Sequence, residues 1–218
     1  MRRVTVESSL AWLLQPFAVQ TFLTRYGAQR ITRSSGAVEE LLESFRHEPS
    51  AAVRLVRGND KKDPDAYRLA DGGLDLARNR NDFADGYTIV LDNVDRYMRT
   101  IGSLSHSIEV ELNFPTQVNA YVTPPESGGF VPHYDEHDVL ILQVQGAKIW
   151  HLYDVDVPPH AMARREAVDT AGLPSPTGLL LEVGDVLYLP RGRVHRAETG
   201  SESSLHLTSE FTRPPCLR

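Results

Sequence analysis

From Glu109 onward, short apolar or alternating runs follow one another: VELNF, QVNAYVT, HDVLILQVQG, AKIWHLYD, GLLLEV, DVLYLP and SLHLTSEF. Glycine and proline punctuate them, as in PPESGG and LPRGR. Runs this short, this closely spaced and separated by turn residues predict strands of a β-barrel or sandwich. The earlier part of the chain reads as helical. Ser8 or Ser9 caps a helix through Ala11, Trp12, Leu13 and Leu14, and Pro16 opens another carrying Phe17, Phe22, Leu23 and Tyr26, stopped by Gly27. Val38, Leu41, Leu42 and Phe45 repeat at helical spacing over residues 37–47. Residues 58–66, GNDKKDPDA, form an exposed polar connection, and YTIVLDNVDRYMRTIGSL holds a short strand running into a helix. There is no internal repeat, heptad or sharp composition break. The expectation is one domain over 1–218, with a helical part over about 1–108 and a barrel core over about 109–212.

Charge and cysteine usage narrow the function classes. A net charge of -6 argues against a general nucleic-acid binder, with Arg191, Arg193 and Arg196 the one candidate basic patch. The single cysteine, Cys216, can close no intramolecular disulfide, which suits a reducing compartment. The opening MRRVTVESSLAWLLQPFAV has two arginines and then an apolar run, but Glu7, Gln15 and Pro16 interrupt it and no small-residue cleavage site follows. It reads as an amphipathic helix. No stretch has the length of a membrane span, so the expected location is the cytoplasm.

The stretch GGFVPHYDEHDVLILQVQGAKIW places His133, Asp135 and His137 at alternate positions on the lip of an apolar run. Residues two apart on a strand share a face, so the three would point the same way as Val139 and Ile141. A carboxylate at the mouth of a core costs several kcal/mol unless compensated, and a divalent metal would compensate it. An exposed strand end with ordinary polar residues explains the same spacing. A second stretch, GDVLYLPRGRVH, reads as a glycine turn and an apolar strand. Pro190 and Gly192 then fix a tight turn that delivers His195 to the next strand.

At this point the sequence resembles a cupin, and within the cupins a Jumonji-C oxygenase of the bacterial ribosomal-oxygenase branch. The likeness is strongest across NAYVTPPESGGFVPHYDEHDVLILQVQGAKIWHLYD, GDVLYLPRGRVHRAET and SLHLT, and it covers about half the chain. It implies a mainly β, double-stranded β-helix barrel with an N-terminal helical layer. Two histidines and a carboxylate on one face of a metal form a non-haem Fe(II) site with neighbouring positions open. The resemblance implies His133, Asp135 and His195 as its ligands. A closed structural zinc site would normally use four ligands, often cysteines. His137, two residues beyond Asp135, lies roughly 7 Å further along a strand, and is expected to line the entrance or orient Asp135.

Lysine occurs only at 61, 62 and 148, and Lys148 stands between Ala147 and Ile149 in an apolar run, an expensive place for an ammonium without an anion. In the family the corresponding lysine pairs with the far carboxylate of 2-oxoglutarate, and Tyr121 and Asn119 match positions that border the same cosubstrate. His206 and Thr208 share a strand face and close the pocket. Glu210 falls where family members carry a small hydroxyl residue, a departure in the cosubstrate shell. His47, His106, His151 and His160 carry no supporting pattern.

The resemblance therefore implies an Fe(II)- and 2-oxoglutarate-dependent dioxygenase that uses O2 to hydroxylate an amino-acid side chain in a protein or peptide, such as a ribosomal protein or a peptide natural product. The family relatives continue past the barrel into a helical dimerisation region and a winged-helix-like domain, which has no counterpart before Arg218, so the resemblance leaves the dimer, and the choice between a ribosomal protein and another substrate, open. A hydroxylase of a free small molecule and a non-oxidative metal-binding cupin, whether isomerase or binding module, are the alternatives. No membrane partner and no direct nucleic-acid contact are expected.

Overall fold

The structure is a computed structural model and describes residues 42–43, 45–46, 53–158 and 168–211. The helices read over residues 8–27 lie outside the described residues. Of the helix read over 37–47, Leu42, Glu43 and Phe45 are described and helical, with Phe45 fully buried.

Among the described residues ten strands form two antiparallel sheets. The first strands are β1 (Val53–Arg57), β2 (Asp60–Lys61), β3 (Thr88–Leu91), β4 (Thr116–Thr123) and β5 (Asp138–Gln145). They are followed by β6 (Lys148–Asp156), β7 (Thr177–Leu181), β8 (Val186–Leu189), β9 (Arg193–Glu198) and β10 (Ser204–Phe211). The larger sheet runs β2-β1-β3-β4-β10-β5-β8 and the smaller β7-β6-β9. Helix α1 spans Leu76–Ala84 and α2 spans Arg99–Leu112. No described helix is long and apolar enough to cross a membrane.

The period of two decides which side chains reach the interior. On β4, β5 and β10 the residues Val118, Ala120, Val122, Leu140, Leu142 and Leu207 pack outward against α2 and its neighbours. Their alternates Val139 and Ile141 face the other way and meet Trp150, Leu181, Leu187 and Leu189 between the two sheets. Burying one such aliphatic side chain is worth about 1.5–3 kcal/mol, so a one-residue slip of register would forfeit both layers at once.

Two readings of the sequence are corrected. VELNF is not a strand: α2 continues through Leu112, because Ile101, Leu104 and Ile108 keep helical spacing and Asn113 closes the helix at φ +56°. Besides the strand read in YTIVL, the stretch expected to be helical before residue 109 contributes two more, β1 and β2, which with β3 extend the larger sheet beyond β4. The strand-then-helix reading of YTIVLDNVDRYMRTIGSL matches β3 and α2, and the polar connection at 58–66 contains the turn after β1 and the exposed β2.

Candidate metal and cosubstrate site

Residues 131–137 are not a strand, contrary to the alternation read from the sequence; β5 begins only at Asp138. His133 instead forms a single antiparallel bridge with His195 at the start of β9. Gly192, at φ +86° after Pro190, donates its N–H to the Asp135 carbonyl at 2.9 Å and ties the proline-glycine turn to the same loop. Two segments nearly sixty residues apart thus deliver one cluster. One ligand atom each from His133, Asp135 and His195 lies within 4.8 Å of the others.

The hydrogen-bonding of the imidazoles fixes which nitrogen can bind a metal. His133 Nδ1 lies 2.8 Å from the Val131 carbonyl, and His195 Nδ1 lies 2.9 Å from the Arg193 carbonyl. A carbonyl only accepts, so each Nδ1 carries the hydrogen and each Nε2 the lone pair. Asp135 Oδ2 is 3.6 Å from His195 Nε2. Two neutral imidazole lone pairs and one carboxylate suit a divalent first-row metal with open coordination positions.

All three line one cavity, shared with Tyr121, Lys148, His206 and Glu210. Lys148 is 3% exposed, and its Nζ donates to Thr123 Oγ1 at 2.8 Å. Burial alone pulls its pKa down from 10.5 to about 7. His206 is held well below its usual range, first by burial and then by its electrostatic neighbours Lys148 and His195. The His206 ring stacks on Tyr121, centroids 4.8 Å apart, and meets Trp150 edge-on at 5.4 Å. The arrangement is an aromatic-walled pocket with a buried amine beside a metal-competent triad.

The other sequence-read residues fall as follows. Thr208 lines the cavity, as expected of a residue closing the pocket. Asn119 does not line it: Oδ1 accepts from the Asn93 N–H at 2.9 Å and Nδ2 donates to Glu210 Oε1 at 2.7 Å, so it acts through Glu210. His137 is not part of the cluster; its Nε2 lies 3.3 Å from Glu210 Oε2. His151 pairs with Glu198 at 2.8 Å, away from the site, and His106 with Glu109 on an exposed helix face. Thr123 and Trp150 were missed, although Thr123 continues the Asn119–Tyr121 alternation on β4 and Trp150 the Lys148 face of β6.

A family model described as the JmjC domain matches residues 97–217. The bifunctional lysine-specific demethylase and histidyl-hydroxylase NO66 of Aedes aegypti is 27% identical over 99% of this chain and 38% of its own length. Ribosomal oxygenase 2 of Mus musculus is 38% identical over 63% of this chain and 30% of its own length. A solved structure of the Escherichia coli ribosomal oxygenase YcfD, in complex with cobalt and 2-oxoglutarate, superposes with a TM-score of 0.57 at 20% identity, over 83% of this chain and 44% of that one. The chain spans less than two fifths of the length of these two curated relatives.

Proposed function

The chain belongs to the JmjC-domain family, and from that premise we propose that it is an Fe(II)- and 2-oxoglutarate-dependent dioxygenase hydroxylating an amino-acid side chain in a protein or peptide. One observation carries the reading: the triad and the buried Lys148 line the same cavity. His133, Asp135 and His195 would hold the metal, and Lys148 with Thr123 would hold the far carboxylate of the cosubstrate by charge-assisted hydrogen bonds. When bound, iron and 2-oxoglutarate supply the oxidation: O2 delivers one atom to a substrate C–H bond and the other to succinate, with loss of CO2.

The protein's own contribution is placement. The Val131 and Arg193 carbonyls keep both imidazoles in one tautomer and one orientation. The stacked Tyr121 and His206 rings, Trp150, Val139 and Ile141 wall the cavity and keep water from the reacting groups. Thr123 Oγ1 accepts from the Lys148 amine and holds it in place for the cosubstrate carboxylate it would meet. The relatives' printed activities on protein residues support a protein or peptide substrate, and the lone cysteine supports a cytoplasmic setting.

The test is anaerobic addition of Fe(II) and then 2-oxoglutarate. A visible charge-transfer band and a rise in Tm that grows with cosubstrate concentration are expected. A metal-dependent shift with neither band nor cosubstrate effect would make the chain a non-oxidative metal-binding cupin.

A further inference from the structure

Thr88, at the start of β3, lines the same cavity as Lys148, although it lies before residues 97–217, which the family model matches. The β3–β4 register sets Ile89 opposite Val122, so one rung further Thr88 stands opposite Thr123. Period two puts Thr88 and Val90 on the same side of the sheet as Tyr121 and Thr123. Val90 and Tyr121 indeed pack in one cluster with Val56 and Phe130. The strand added ahead of the barrel thus supplies a wall of the pocket at its Lys148 end.

The Thr88 hydroxyl is pinned from two sides. The residue is fully enclosed, and its Oγ1 donates to Thr123 Oγ1 at 3.1 Å. The Gly129 backbone closes over it: a Cβ at Gly129 would stand 3.2 Å from Thr88 Oγ1, and the Gly129 carbonyl accepts from the Gly58 N–H at 3.0 Å.

A hydroxyl oxygen has two acceptor positions and one hydrogen. At Thr123 Oγ1 the Thr88 hydroxyl takes one acceptor position and the Lys148 amine the other. The Thr123 hydrogen is confined to the one direction left, and no group among the described residues accepts it. Thr123 is also the one hydrogen-bond partner of Lys148 Nζ among the described residues, so an ammonium there keeps two further N–H groups. Buried donors without an acceptor are costly, and a single carboxylate, with about four lone-pair sites, satisfies all three.

We propose that Thr88 is a positioning residue for the far carboxylate of the cosubstrate. By filling one acceptor position of Thr123 it turns the Thr123 O–H toward that carboxylate, beside the Lys148 amine. The assignment rests on the oxygenase reading. Without the Thr88 hydroxyl the Thr123 hydrogen has two directions open to it, and one acceptor position of Thr123 faces hydrocarbon. Both changes act on the far carboxylate and leave the metal end alone.

The experiment uses Mn(II)-loaded protein free of O2 and measures Kd by calorimetry for 2-oxoglutarate and for oxalate, which chelates a metal but has no far carboxylate. Thr88→Val keeps the shape and removes the hydroxyl. Thr88→Ala removes it without setting a methyl group against Gly129. Both are expected to weaken 2-oxoglutarate about fivefold or more, the scale of one lost hydrogen bond, and to leave oxalate within about twofold of the parent. Thr88→Ser, which keeps the hydroxyl, should stay within about twofold of the parent for both ligands. Unchanged 2-oxoglutarate binding in the Val and Ala variants, an equal loss for oxalate, or a loss in Thr88→Ser as large as in Thr88→Val would each overturn the assignment. A parent that binds oxalate but not 2-oxoglutarate would instead sink the oxygenase reading, and the parent is measured before any variant.

Discussion

His133 and His195 are joined twice through their backbones: each N–H donates to the other's carbonyl, at 3.0 and 2.8 Å, and the two imidazole centres lie 4.5 Å apart. Main-chain pairing, which is independent of the side chains, thus holds the two imidazoles together. Removing a ring should empty the site without unfolding its frame.

His195→Ala and Asp135→Ala are therefore expected to keep the metal-free Tm within a few degrees of the parent. They should abolish stabilisation by Mn(II), which reaches about 2.7 kcal/mol at a metal concentration a hundredfold above Kd. Cosubstrate turnover should fall more than a hundredfold. Unchanged metal stabilisation in either variant, measured by thermal unfolding across a metal titration, would remove that residue from the ligand set.

Lys148 makes a prediction with a definite sign. Its folded pKa, about 7, lies below its ordinary 10.5, so between those values the unfolded chain holds a proton that the folded chain has lost. Stability without ligand should rise with pH across that window and stay at its low level below it. Lys148→Met should flatten the rise, raise stability at pH 7 and remove the response to 2-oxoglutarate. Pairing with the cosubstrate carboxylate restores the charge, so binding at pH 8 should be accompanied by proton uptake, read by calorimetry in buffers of different ionisation heat. No proton uptake would mean that the amine is already charged or is not the anchor.

These residues also show what the sequence made legible. His133, Asp135 and Lys148 stood out as polar or charged groups beside or within apolar runs, and His195 through its proline-glycine turn. The family resemblance joined His133, Asp135 and His195 as ligands, and the structure brings all four residues to one cavity. The strand assumed under His-x-Asp did not form, since a loop bridged to β9 gives the same convergence without period two. VELNF misled because five residues cannot separate a strand from the last turn of a helix. Asn119 shares a face with Tyr121, but face does not give depth: one side chain ends at Glu210 and the other at the cavity wall.

Asp138 couples the two ligand-bearing segments from beneath. It is fully buried, and its Oδ1 accepts from the Tyr188 hydroxyl at 2.6 Å and the Arg191 N–H at 3.4 Å, joining the start of β5 to the turn before His195. Asp138→Ala removes a charged acceptor from the interior, a change worth about 2–3 kcal/mol. For a chain of this size that is about 5–10 °C in Tm. Asp138→Asn keeps an oxygen for the hydroxyl and should recover more than half of the loss. Equal losses for Ala and Asn would show that the charge, not the acceptor, is what the site requires.

Gly192 is the position where strain and chemistry meet. At φ +86° it occupies backbone space that a side chain disfavours, and its N–H is the 2.9 Å link to the Asp135 carbonyl. Gly192→Ala should cost about 1–2 kcal/mol from the left-handed conformation alone. If the turn relaxes to relieve that strain, the link lengthens and His195 moves relative to Asp135, so metal affinity should fall at least tenfold. If it does not relax, Tm drops by about 2–8 °C with metal affinity intact. Measuring Tm and metal Kd together separates the outcomes; a variant unchanged in both would show that the turn does not set the spacing of the ligands.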